Sequence, residues 1–154
     1  MRVFGALVAL VLLSQTGCSA LSGFHRDWQS GCACAPNGDI AGCWDGCWES
    51  RCTGHHGKVR AIITRQDETH YCARFHGTFF KVIPFGYQMM LTAAPQDGQY
   101  VLSGQKNLGK LVGGVYRFQG HATDNEFYAE YTSDNDRGTF IMSRAGGGGC
   151  SCQR

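Results

Sequence analysis

From residue 42 onward, apolar and polar residues alternate with period two, and Gly, Asp, Asn or Pro interrupts the alternation about every ten residues. Such a chain turns one face of each segment to a core and the other to water, which an antiparallel sheet requires and a helix does not. Eight segments follow from their common faces. They are Trp44, Gly46, Trp48; Val59, Ala61, Ile63; Tyr71, Ala73, Phe75, Gly77, Phe79; and Phe85, Tyr87, Met89, Leu91, Ala93. The second half continues with Tyr100, Leu102, Gly104; Tyr116, Phe118, Gly120, Ala122; Phe127, Ala129, Tyr131; and Phe140, Met142, Arg144. Opposite faces are largely polar, as in His70, Arg74, His76 and Thr78. Turn-rich stretches at 66–69, 95–98, 123–125 and 134–138 suit short hairpins.

These patterns predict an all-β fold, an antiparallel meander closed into an eight-stranded up-and-down barrel over residues 42–145. Glycines that recur on the inward faces beside aromatic residues favour a barrel, because a strand bends most sharply where no side chain obstructs it. A Cys-rich linker, 18–41, precedes the barrel, and a Gly-rich tail with a Cys-x-Cys, 146–154, follows it. No window beyond the first eighteen residues carries a helical stripe, so low helix content is expected. With 154 residues the chain fits one domain, and its formal charge of +2 argues against a nucleic-acid partner.

Arg2 followed by the uncharged, mostly apolar run Val3 to Leu13 reads as a signal peptide, 1–17, too short to span a bilayer. Ser14-Gln15-Thr16-Gly17-Cys18 resembles the lipobox of bacterial lipoproteins, with Gln15 where Leu is usual, and implies lipidation at Cys18. The alternative is plain cleavage near Ala20. Both readings place the protein outside the cytoplasm, lipid-anchored in a bacterial cell envelope or secreted.

Eight cysteines remain: Cys32, Cys34, Cys43, Cys47, Cys52, Cys72, Cys150 and Cys152. An even number in an exported chain points to disulfides, with over a hundred possible pairings. Each Cys-x-Cys closes poorly on itself, so its members seek distant partners, and the two ends of the chain are expected to be stapled together. The competing reading is a zinc site at Cys47, Cys52, His55 and His56, although paired Cys-x-x-Cys knuckles are absent.

Gly42-Cys43-Trp44 and Gly46-Cys47-Trp48 open the first segment, and Arg144 ends the last. This resembles the calycin superfamily of lipocalins, fatty-acid-binding proteins and avidins. The resemblance implies that Trp44, Trp48 and Arg144 close the barrel, with the cation over an indole face. The wider phrase, including His56-Gly57, Pro84-Phe85, Leu102-Ser-Gly104, Gly113-Gly114 and Gly138-Thr-Phe140, also resembles small exported proteins of planctomycete-type bacteria, a group with no activity to transfer.

Catalytic signals are weak. Cys72 or Cys52 with a nearby histidine makes a poor nucleophile pair, since exported cysteines are normally oxidised. Asp45, Glu49 and Glu130 are scattered, and Gly109 with Gly113-Gly114 lacks the following helix of a phosphate cradle. His70 and His76 belong on a solvated strand face. Ten aromatic residues share one interior, and an eight-stranded barrel either fills with side chains or holds one small ligand. So many rings predict a filled core. The expected role is therefore a non-catalytic envelope module, structural or for interaction with an envelope protein. The alternatives are a binder of a small apolar ligand and a Cys/His metal or thiol-redox protein.

Overall fold

The computed structural model describes residues 17–32 and 38–146, so the signal segment and Cys34, Cys150 and Cys152 lie outside the described residues. Eight antiparallel strands close into one barrel in sequence order: β1 (Gly42–Ser50), β2 (His56–Arg65), β3 (His70–Phe79), β4 (Ile83–Gln96), β5 (Gln99–Asn107), β6 (Val115–Ala122), β7 (Glu126–Thr132) and β8 (Arg137–Arg144). The inward sets read from the sequence are the barrel interior. Trp44, Trp48, Val59, Ala61, Ile63, Tyr71, Ala73, Phe75, Met89, Leu91, Leu102, Phe118, Phe127, Tyr131, Phe140 and Met142 are all buried in one cluster.

Strand β8 lies antiparallel beside β1, with Trp44 opposite Arg144 and Ser50 opposite Gly138. Two glycines allow this closing seam to form. A Cβ on Gly46 would collide with the Ile141 carbonyl oxygen, and one on Gly138 with the Glu49 carbonyl oxygen. Apolar residues face inward and polar ones outward, the reverse of a barrel whose outer wall meets lipid. No helix among the described residues is long and apolar enough to cross a membrane.

Connections 66–69, 97–98 and 123–125, together with 38–41, gather at what we call the lower end. Connections 51–55, 80–82, 108–114 and 133–136 gather at the upper end. A single 3-10 turn, Lys110–Val112, sits in the third of these.

The segment before the barrel differs from the linker expected there, because Gly17–Gly31 forms a helix, α1. Its glycines and serines have low helix propensity, but tertiary contacts override that. Phe24 is buried and stacks on His76 at 5.2 Å. Asp27 binds Arg74 at 2.6 Å, and the Arg60 guanidinium stands 5.0 Å from the Trp28 ring centroid. His76 is therefore covered by the helix rather than solvated, and burial pushes its imidazole below its ordinary value, helped by His25 and Arg60.

Cys32, just past the helix, forms a disulfide with Cys43 at the start of β1, with Cα atoms 5.2 Å apart. Cys47 is also disulfide-bonded. Cys52 and Cys72, expected in bridges, are free thiols. The fold keeps these two from bridging each other: Cys52 lies in the upper β1–β2 connection, whereas Cys72 pairs with Thr64 near the lower end of β3. That separation is far beyond the ~7 Å between Cα atoms that a disulfide tolerates. The stapling of the two chain ends falls on Cys150 and Cys152, outside the described residues.

Candidate functional site: a cavity in the upper half of the barrel

The lower end is shut. Residues 38–41 cross it, carrying Ile40 to complete burial. The Trp44 indole N–H donates to the Ile40 carbonyl at 2.9 Å. Arg144 places its guanidinium carbon 4.1 Å from the Trp44 ring centroid. The same group donates to the carbonyls of Ala41 at 2.5 Å, Asp124 at 2.7 Å and Asp39. Three carbonyl acceptors and a π face replace the water that a half-buried guanidinium loses. Tyr100 donates to the Gly38 carbonyl at 3.1 Å, and Gly38 N–H to the Asp124 carboxylate at 3.1 Å. On the barrel side of this lid the Tyr71 phenol is pushed up to about 12, by burial first and then by the Asp39 carboxylate.

The upper end is open. A cavity of about 300 Å³ lies there, lined by Trp48, Phe79, Phe85, Gly86, Tyr87, Leu108, Tyr116, Phe118, Tyr131, Asp136 and Phe140. The expected filled core is thus correct only for the lower half. Two of the rings that line the upper half are seated on glycines of the neighbouring strand. Phe85 rests on Gly77, where a Cβ would come within 2.5 Å of the ring, and Tyr131 rests on Gly138, where a Cβ would come within 2.7 Å of the ring. Glycine on one strand gives a neighbouring ring a flat seat.

Phe118 and Phe140 stack at 5.6 Å on the inner side of the cavity, and Phe75 meets Phe140 at 5.6 Å. Trp48 stands edge-on to Phe85 at 6.0 Å and to Phe79 at 4.8 Å. Its indole N–H donates to the Thr78 carbonyl at 3.2 Å, which satisfies the polar atom of the ring. Asp136 is the charged member of the lining, and both of its oxygens are engaged: Oδ1 accepts from Ser50 at 2.6 Å and from Arg137 N–H at 2.8 Å, Oδ2 from Tyr131 at 3.1 Å. Burial raises the Tyr131 phenol, with Asp136 adding to the effect, and raises Tyr87 well above its ordinary value. Both phenols stay neutral. The wall therefore presents π faces and hydroxyls rather than charge.

Of the residues singled out in the sequence, Trp44 and Arg144 meet at the lower lid, while Trp48 lines the cavity. Cys47, Cys52, His55 and His56 do not assemble into a donor set. Cys47 is already oxidised, Cys52 is exposed, the His55 ring packs on Phe80 at 4.6 Å, and His56 Nδ1 lies 3.3 Å from the Gly54 carbonyl. No group of three or more His, Cys, Asp or Glu side chains among the described residues is placed to hold a metal ion. Sequence reasoning missed Leu108 and Asp136 in the lining and Asp39 and Ile40 in the lid. Asp136 was legible only as a turn residue, since its partner Ser50 lies 86 residues away.

No protein-family model matches the chain, and neither does any curated protein. Among solved structures the barrel is similar to one described as "De novo design of a fluorescence-activating beta barrel", with a TM-score of 0.50 and 16% sequence identity. The match covers 68% of this chain and 93% of that one. At that identity the likeness concerns the fold.

Proposed function

We propose that this chain is a calycin-like binder of a small, flat, apolar ligand, working outside the cytoplasm in a bacterial cell envelope. One observation carries the reading: an eight-stranded barrel sealed at one end keeps an aromatic-walled cavity of about 300 Å³ open at the other. That volume stands at the small end of ligand pockets, and stacked rings with few polar groups suit a planar apolar molecule. The similar designed barrel is described as fluorescence-activating, which agrees with a barrel interior of this kind used to hold a ligand. Because the Asp136 oxygens are already bonded within the protein, the wall offers stacking and shape, so the protein holds its ligand without transforming it. The run Val3 to Leu13 supports export, and Cys18 supplies a site for a lipid tether.

The test is titration of the protein with a solvatochromic apolar dye, alongside native mass spectrometry of protein purified from its own envelope. A saturable blue-shifted emission is expected, with the Trp48 fluorescence quenched as the dye stacks beside it. The variant Leu108→Trp, which narrows the mouth, should weaken binding at least about tenfold, the cost of one bulky clash in a shaped pocket. Equal dye binding by this variant and the parent would overturn the reading.

A further inference from the structure

The upper rim carries apolar side chains that stay largely exposed. Phe80 is 63% exposed and Val82 76% in the β3–β4 connection, Ile83 at the start of β4 is 54% exposed, and Leu111 is fully exposed in the β5–β6 connection. They sit on two connections at the open end, next to Phe79, Phe85 and Leu108 of the cavity lining, and exposed apolar side chains gathered at a cavity mouth mark an interaction surface. Each tip also carries a cation: Lys81 follows Phe80, and Lys110 precedes Leu111.

The lower end is the more acidic of the two, even with Arg65 bridged to Asp39 and Arg144 in the lid there. The lower connections hold Asp39, Asp67, Glu68, Asp97 and Asp124 with no Lys or Arg. The upper connections hold Arg51, Lys81 and Lys110 against Asp134 and Asp136, and Asp136 is tied inward by Ser50 and Tyr131. Between Glu68 and Asp124 the one acidic residue is Asp97, at the lower end. The β3–β4 and β5–β6 connections therefore contain no acidic residue of their own, and the nearest carboxylate to the second is Asp134, beside Gly114. A molecule charged in this way turns its mouth toward an anionic surface.

We infer that the open rim docks on an anionic lipid bilayer. Phe80, Val82, Ile83 and Leu111 enter the headgroup region, while Lys81 and Lys110 pair with lipid phosphates. Apolar burial and juxtamembrane lysines reinforce each other in such contacts. The mouth of the cavity then faces the layer in which apolar molecules concentrate. This inference stands on the rim alone, so it survives if the cavity proves empty.

Orientation tests it independently of any tether. Full-length Leu111→Trp and Glu68→Trp are bound to vesicles containing phosphatidylglycerol and brominated-chain phosphatidylcholine, and tryptophan quenching is read. Leu111→Trp should lose at least about twice as much of its added emission as Glu68→Trp, because only the rim reaches the acyl chains. Adding Lys81→Glu and Lys110→Glu should remove most of that extra quenching on anionic vesicles. Equal quenching of the rim and lower-end tryptophans would overturn the proposal, as would quenching that ignores the charge reversals. An unquenched rim tryptophan on bound protein would instead assign this face to a protein partner.

Discussion

Strand β4 ends in two tight turns that share a backbone and not a chemistry. At the lower end Asp97 and Gly98 have φ of 50° and 80°, and at the upper end Phe80 and Lys81 have 50° and 65°. Positive φ at both central positions is the signature of a type I′ turn, which favours Asn, Asp and Gly. The lower turn obeys that preference. The upper one places a phenylalanine and a lysine where each costs about 1 kcal/mol or more. Residues kept against a local cost of that size point to work other than folding. The rest of the molecule divides along the same line, with Ile40, Trp44, Tyr71 and Arg144 packed at the lower end and an open space between rings at the upper.

The two tryptophans of β1 give the largest contrast. Trp44→Ala should cost about 3–5 kcal/mol in urea denaturation, the usual loss for a fully buried indole. Trp48→Ala enlarges an existing cavity and should cost about half as much. Equal losses would break the distinction between a packed and a hollow half. The arginines follow. Arg144→Ala strands three carbonyls and uncovers Trp44, with an expected loss of about 2–4 kcal/mol. Arg51→Ala, at the upper end, removes an exposed, solvent-screened pair with Glu130 at 2.8 Å and should leave the urea midpoint nearly unchanged.

Replacing Phe80-Lys81 by Asn-Gly should raise stability by about 1–2 kcal/mol, seen as a higher urea midpoint, while weakening rim docking. A loss of stability would show that the upper turn is built for folding after all. The smallest effect concerns acid. The Asp67 carboxyl is held down to about 2 by hydrogen bonds from the Thr69 and His70 backbone N–H groups and then by the His70 ring. A carboxyl depressed in the folded state contributes stability above its ordinary value of 3.8, and that contribution fades as pH falls toward 2. Asp67→Asn should therefore flatten the loss of urea midpoint between pH 4 and pH 2.

The barrel itself was legible because period two is a backbone property: Val59, Ala61 and Ile63 share a face whatever lies opposite. The seam was legible through Gly42-x-Trp44 and Arg144, since closure makes the first and last strands neighbours. Helix α1 was not, because Phe24 and Trp28 stand four apart among residues of poor helix propensity, and the docking partners His76, Arg74 and Arg60 come from remote strands. The cavity was hidden for a related reason. Composition counts rings, but whether Phe85 crosses the axis or lies on Gly77 depends on register, and register is a property of strand pairs. Free Cys52 and Cys72 were missed because counting cysteines ignores which end of the barrel each occupies.

Seven of the eight strand pairings join neighbours in sequence, and the pairing of β1 with β8 alone spans the chain. A nascent meander therefore assembles from local hairpins and waits on one long-range event, in which Ala145 N–H reaches the Cys43 carbonyl at 2.9 Å. Until then two long unpaired edges face solvent, and an edge of one copy fits that of another as well as its own. Crowded during synthesis, such chains risk exchanging β8 between copies, and the race between closure and exchange then governs the yield of monomer.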